Sequence, residues 1–217
     1  CTIEEASRTN MYKRGCTVSE GIGYGMLITL FQGDWDAFNR LWIYSQAYRN
    51  SAYASGRGLM PWLTASFSWD IPDESSATDA DLDIATSLIL AYYMSGNTAY
   101  LNDALTLIAA LWNNEVNLSN NLLYSGDTPT WKAAANPSYN LSYFSPVALR
   151  LFALVDKNHD WTSVLNAQYT YMLNVQAAGT GVFPDWSDGS GNAINPPNGS
   201  AKTTYWALTG ESVRIPW

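Results

Sequence analysis

Apolar residues recur along much of this chain at intervals of three and four, the period that stacks side chains on one face of an α-helix. Residues 34–48 show it first: Asp34 stands where an N-cap is needed, and Trp35, Phe38, Leu41, Trp42 and Ser45 fall on one side. A second run begins at Thr78, which can cap it. Leu82, Ala85, Ile89 and Tyr92 or Tyr93 form its stripe, and Gly96 stops it. Asn97-Thr98 opens a third, in which Tyr100, Leu101, Ala104, Leu105, Ile108, Leu111 and Trp112 give the pattern of a helix buried on more than one side. Ser145-Pro146 starts a fourth, with proline in the first turn where its missing N–H costs nothing, and that helix ends near Asp156. Asp160 caps a fifth, running through Val164, Leu165, Tyr169, Met172 and Leu173 to a turn at Ala178-Gly179.

Between these helices lie polar or aromatic segments at 49–77, 114–142 and 179–204. They exceed the usual connection of about 4–6 residues, and long loops on a helical scaffold usually carry function. No stretch sustains the alternation of a strand, and no repeat recurs at a fixed spacing. Pro196-Pro197-Asn198-Gly199-Ser200 is too short and too near the end to separate two domains. The pattern predicts one all-α domain over residues 1–217. No apolar run approaches the roughly 18 residues of a membrane helix, and the N-terminus lacks a basic region followed by an apolar stretch. A soluble chain whose export signal has already been removed is expected, with no membrane partner.

Nineteen acidic residues against 11 basic give a net charge of −8, with no Lys/Arg cluster to displace counterions from a nucleic acid. Nucleic acid is thereby excluded as the expected partner. Ten Trp and 14 Tyr are a heavy load of flat amphipathic rings, which stack on sugar faces or fill a helical core. One His and two Cys cannot assemble the usual structural zinc cluster, so neither metal nor cofactor is expected. His159, in the polar turn Asp156–Asp160, reads as a solvated turn residue, and no G-x-S-x-G nucleophile elbow is present. A bridge between Cys1 and Cys16 would close a short loop, but the sequence leaves open whether they meet.

Two strings carry candidate chemistry. In Val18-Ser19-Glu20-Gly21-Ile22-Gly23-Tyr24-Gly25-Met26, one carboxyl stands among apolar residues and glycines at a helix start. Glycines let a ligand approach the backbone closely, and an acid with apolar neighbours suits a proton donor. Glu20 as a first-turn acid answering the helix dipole is the plainer alternative. In Ser76-Ala77-Thr78-Asp79-Ala80-Asp81-Leu82-Asp83-Ile84-Ala85, Asp79 and Asp83 share a helical face and Asp81 points elsewhere. Acids crowded into a first turn serve as dipole partners or, when buried, as hydrogen-bond partners for sugar hydroxyls.

Together these strings resemble the two signatures of glycoside hydrolase family 8, the family of bacterial cellulases, xylanases, chitosanases and lichenases. Further matches follow in family order at Leu59-Met60-Pro61-Trp62, Ser142-Tyr143-Phe144-Ser145-Pro146, Gly181-Val182-Phe183-Pro184-Asp185-Trp186 and Val213-Arg214-Ile215-Pro216-Trp217. The resemblance implies an (α/α)6 barrel, incomplete in this chain, because twelve helices of about 12 residues with their loops approach 300 residues. It implies an endo-acting inverting hydrolase of β-1,4-glucan that is secreted, with chitosan, which is cationic, and then xylan as alternatives. A carbohydrate-binding protein without turnover is a further alternative. Residue by residue, Glu20 matches the general acid and Asp79 the residue that contacts and helps distort the sugar at the cleavage point. Trp62 and Tyr143 match positions near the cleft. Asp81 and Asp83 are expected to be structural, and Asp185 is held in reserve for a catalytic role.

The sequence departs from the family in two respects. The usual D-A-x-R-x-P-W-R segment, whose Asp is the general base in the commonest subgroup, reads Glu211-Ser212-Val213-Arg214-Ile215-Pro216-Trp217, so that Glu211 replaces that aspartate. Arg214 would share a helical side with Glu211 and pair with it. The alternative is Glu211 as a surface acid near a frayed end. Second, the chain stops at this motif, and an open barrel would leave apolar helix faces for a homo-oligomer to cover.

Overall fold

The computed structural model describes residues 16–50, 56–65, 73–132, 137–175, 181–194 and 211–215. Cys1, the turn at Ala178-Gly179, the segment Pro196–Ser200 and Pro216-Trp217 lie outside them, so the pairing of Cys1 with Cys16 does too. The chain divides into two units, Cys1–Leu107 and Ile108–Trp217.

In the first unit the helices form where their caps stand. Helix α1 (Ser19–Phe31) turns at Gly33, whose φ of 71° favours glycine, into α2 (Trp35–Arg49). Asp34 Oδ1 accepts the Ala37 N–H at 3.0 Å and so caps α2. Helix α3 (Thr78–Ser95) stops at left-handed Gly96, and α4 (Thr98–Glu115) follows, with Asn97 Oδ1 accepting the Ala99 N–H. The expected Thr78 cap is corrected. Thr78 is the first helical residue, buried one position too far along the helix, and Ala77 takes the cap site with no side-chain bond.

Helix α3 is the core of this unit. Ala80, Leu82, Ile84, Ala85, Leu88 and Ile89 are all buried on it, and α1 lies against it through Ile22, Met26 and Leu30. Each fully buried Leu, Ile or Met contributes about 1.5–3 kcal/mol. Asp103 on α4 ties down α2: Arg49 Nη2 lies 2.5 Å from Asp103 Oδ2, and Trp42 Nε1 donates to the same oxygen at 2.7 Å.

The segment read as a long loop holds strands. β1 (Cys16–Val18), β2 (Pro61–Ala65) and β3 (Asp73–Ser76) form an antiparallel sheet in that order. Val18 pairs with Leu63 and Ser76 with Pro61. Strands of three to five residues offer too few alternations to register as a period of two. Because β1 and β3 flank β2 and run the same way, α1 and α3 leave the same end of the sheet.

The second unit is built on the antiparallel pair α5 (Pro146–Val155) and α6 (Trp161–Val175). Ser145 Oγ accepts the Ala148 N–H to start α5, and Asp160 Oδ1 accepts the Ser163 N–H to start α6, as their positions in the sequence require. At the corner between them, buried Asp156 accepts from Trp161 Nε1 (2.8 Å), His159 Nδ1 (2.7 Å) and the Asn158 N–H (2.9 Å). His159 is therefore not the solvated residue expected of a polar turn. It is half-buried, with its ring 4.7 Å from that of Trp112. Burial alone would raise the Asp156 pKa, but the bonds from Trp161, His159 and Asn158 outweigh it and hold the carboxyl below its ordinary value.

Two short ribbons complete this unit: β4 (Val116–Asn117) with β5 (Leu122–Leu123), and β6 (Ser138–Tyr139) with β7 (Ser187–Asp188). Buried Tyr171 ties α6 to β7, its hydroxyl 2.8 Å from Ser187 Oγ and donating to the Asp188 carbonyl. Burial, only partly offset by the Ser187 bond, pushes that phenol far above its ordinary value, so it stays a neutral donor.

Candidate active site

In the first unit the sheet and two helix starts place the candidate residues. Glu20 is the second residue of α1, two positions past the end of β1, and Asp79 is the second residue of α3, three past the end of β3. Trp62 lies on β2 between the two strand ends, half-buried while its neighbours Pro61 and Leu63 are buried. Both carboxylates are also half-buried. Gly23, one turn beyond Glu20, explains how close the helices come: a Cβ there would lie 2.9 Å from the Asp83 Cβ and 3.3 Å from the Ala80 carbonyl oxygen. The first string thus needs that glycine for helix packing. Asp81 is fully buried, and its Oδ1 accepts the Met60 N–H at 3.2 Å, anchoring the segment that leads into Trp62.

In the second unit, Glu211 stands at the start of a one-turn 3-10 helix (Ser212–Arg214). Its Oε2 takes donors from two sides, Asn140 Nδ2 at 3.0 Å and the guanidinium of Arg214, while Ser142 Oγ, whose one proton goes to Asn140 Oδ1 at 2.7 Å, lies 3.3 Å away. Arg214 also lies over the Tyr143 ring, 5.5 Å from its centroid. Asp185 approaches from behind, its Oδ1 accepting the N–H groups of Ser212 (2.8 Å) and Glu211 (3.3 Å). Glu211, Arg214 and Tyr143 are thus brought together, and Glu211 is a half-buried, tethered acid rather than a frayed surface one.

Asn140, absent from the sequence reading, is the centre of this arrangement. It is buried, it caps the 3-10 turn Leu141–Tyr143 by accepting from Ser142 N and Ser142 Oγ, and its own N–H donates to Ser125 Oγ. Its position just before Leu141-Ser142-Tyr143 was the available signal, since Asn commonly caps such turns. A second omission is aromatic: Trp131 stacks on Trp186 at 5.3 Å and 14°, and Tyr143 meets Trp186 edge-on. Among the described residues no group of His, Cys, Asp and Glu is arranged to hold a metal, and no helix is long and apolar enough to cross a membrane.

The sequence matches the family described as glycosyl hydrolases family 8 over residues 5–215. It is 33% identical over 207 residues to Endoglucanase C of Ruminiclostridium cellulolyticum, a match spanning 93% of this chain and 41% of that protein. It is 33% identical over 222 residues to the Beta-glucanase of Niallia circulans, spanning 94% and 52%. The chain therefore spans about half or less of the length of these curated relatives. Its structure is similar to that of a family 8 endo-β-1,4-glucanase from an Achatina fulica gut metagenomic library, with a TM-score of 0.77 at 21% identity over 94% of this chain and 64% of the other. That likeness shows the fold class expected from the sequence, the all-helical (α/α)6 barrel, of which this chain supplies a part. On the family match across nearly all its residues, this chain belongs to glycoside hydrolase family 8.

Proposed function

We propose that this chain carries the acid and base of an endo-acting, inverting β-1,4-glucanase. The observation that carries the reading is the glutamate in the family's base position, held through one oxygen by Asn140 and Arg214. Oε1 accepts no hydrogen bond from a described residue, which suits it to take a proton from water. In this reading Glu20 protonates the glycosidic oxygen as Glu211 deprotonates a water that attacks the anomeric carbon from the opposite face, inverting it. Asp79 contacts the sugar at the cleavage point, and Trp62 and Tyr143 offer ring faces to the chain. Arg214 pairs with Glu211 and so places a positive charge beside the proposed base.

A polymer too large to enter a cell calls for an exported enzyme, which the acidic composition suits. The net charge of −8 also favours a second substrate, cationic chitosan. Reducing-end release from carboxymethyl cellulose, lichenan, xylan and chitosan, measured side by side, decides between them: glucans should lead, and binding without release would overturn the enzyme reading. Glu20→Gln and Glu211→Gln should each lower kcat by about 10²–10⁴-fold while substrate binding persists. A loss below tenfold for either sends its role elsewhere. Tyr24, Ile28 and Phe31 form an exposed apolar stripe along α1, which a second copy of this chain would cover. Light scattering that returns a monomer at micromolar concentration overturns that assembly.

A further inference from the structure

We propose that Asp185 is a positioning residue: it fixes the backbone that carries Glu211, while Asn140 selects which oxygen of Glu211 meets water. The inference rests on the reading of Glu211 as the base.

A 3-10 helix of three residues cannot hold itself, since a single turn fixes several dihedrals for one or two bonds. Among the described residues, the turn Ser212–Arg214 shows the internal bonds Arg214 N–H to Glu211 carbonyl (3.0 Å) and Ile215 N–H to Ser212 carbonyl (3.2 Å), and Glu211 gives it no side-chain cap. Its first N–H groups have no partner within the turn. Asp185 supplies that partner from 26 residues earlier in the chain, with one carboxylate oxygen on both the Glu211 and the Ser212 N–H. The ribbon β6–β7 makes this reach a short one. Tyr139 pairs with Ser187, so Asn140 follows one strand as Asp185-Trp186 precede the other.

Asn140 then acts on the side chain. Two donors from Ser142 occupy its Oδ1, which fixes the amide orientation and leaves Nδ2 to donate to Glu211 Oε2 at 3.0 Å. Arg214 addresses the same oxygen. Asp185 accepts from two backbone N–H groups of the turn, and what those bonds supply is geometry.

The test measures kcat and KM separately for Asp185→Ala, Asp185→Asn, Asn140→Asp and Glu211→Gln beside the unchanged enzyme, with circular dichroism to verify folding. Asp185→Ala should lower kcat by about 10–100-fold at nearly constant KM, the range for a small misplacement of a catalytic group. Asp185→Asn keeps an acceptor oxygen and should stay within about tenfold of the unchanged enzyme. If Asn at 185 fails as badly as Ala, the carboxylate itself takes part in the chemistry and the proposal is overturned. It is overturned equally if Ala is harmless. Should Asp185→Ala not fold, Asn140→Asp decides, because it preserves both acceptor bonds to Ser142 and exchanges the donor to Glu211 for a carboxylate oxygen that repels it. Its kcat should fall in the folded protein, and an unchanged kcat overturns the proposal. Near-normal turnover by Glu211→Gln would instead overturn the base assignment on which it rests, so the two failures are told apart.

Discussion

The two glutamates are carried in different ways. Glu20 rides on a 13-residue helix whose position is set by close packing: a glycine allows α1 to approach α3, and the sheet fixes where both helices begin. Glu211 rides on a three-residue turn held by hydrogen bonds and an ion pair involving the side chains of Asp185, Asn140 and Arg214. Close packing fails when volume is added, whereas a hydrogen-bonded frame fails when a donor or acceptor is lost. Substitutions in the structure beneath Glu20 should accordingly register in stability, and those in the frame around Glu211 in kcat.

The largest stability effect should come from Asp103→Ala, which strands Arg49, its side chain only 1% exposed, without its carboxylate. Breaking such a pair costs about 3–5 kcal/mol. A chemical-denaturation loss under about 1 kcal/mol would show that the first unit does not depend on that pair. Next comes Gly23→Ala, whose new methyl meets the Asp83 Cβ and the Ala80 carbonyl, neither of which can swing aside. Overpacking of this kind costs about 1–3 kcal/mol. Gly25→Ala is its control, since its methyl meets only the tip of the flexible Leu41 side chain and alanine is the better helix former by about 1 kcal/mol. Equal destabilisation by the two would mean that Gly23 has no special role in seating α1 on α3.

The smallest effect belongs to the α5–α6 corner and is a matter of pH. Asp156 has a lowered pKa in the folded protein, so its contribution is complete above the unfolded value of about 3.9 and is lost as pH falls through the lower folded value. Asp156→Asn should be less stable than the unchanged protein near pH 6 by about 1–3 kcal/mol, with the gap closing below about pH 4. A gap that stays constant down to pH 3 would remove the carboxylate from the account.

Much of this was legible in the sequence wherever a single residue decides locally. Asp34, Gly96, Ser145 and Asp160 each mark a helix end through bonds spanning four residues or fewer, and each does so in the structure. Legibility failed where bonds cross long separations. Cys16 pairs with Ala65 across residues that read as loop, and Asn140 reaches Glu211 across 71 positions. His159 was misread because a polar turn looks solvated until Trp112 is placed against it. The strings around Glu20 and Asp79 marked the right helix starts. That Trp62 would lie on a strand between them required knowing that the strand existed.

The donors around Glu211 all address Oε2, and this one-sidedness gives the group a direction. A carboxylate in free solution has two interchangeable oxygens, and a proton arriving at either is the same event. Here rotation about the terminal bond would break the bonds from Asn140 and Arg214 together, so the two oxygens keep separate identities. If Glu211 is the base proposed above, a proton taken from water is delivered to a fixed address and must leave from it before the next cycle can begin. In that reading the departure route of the proton, as much as its capture, is set by the side on which Asn140 stands.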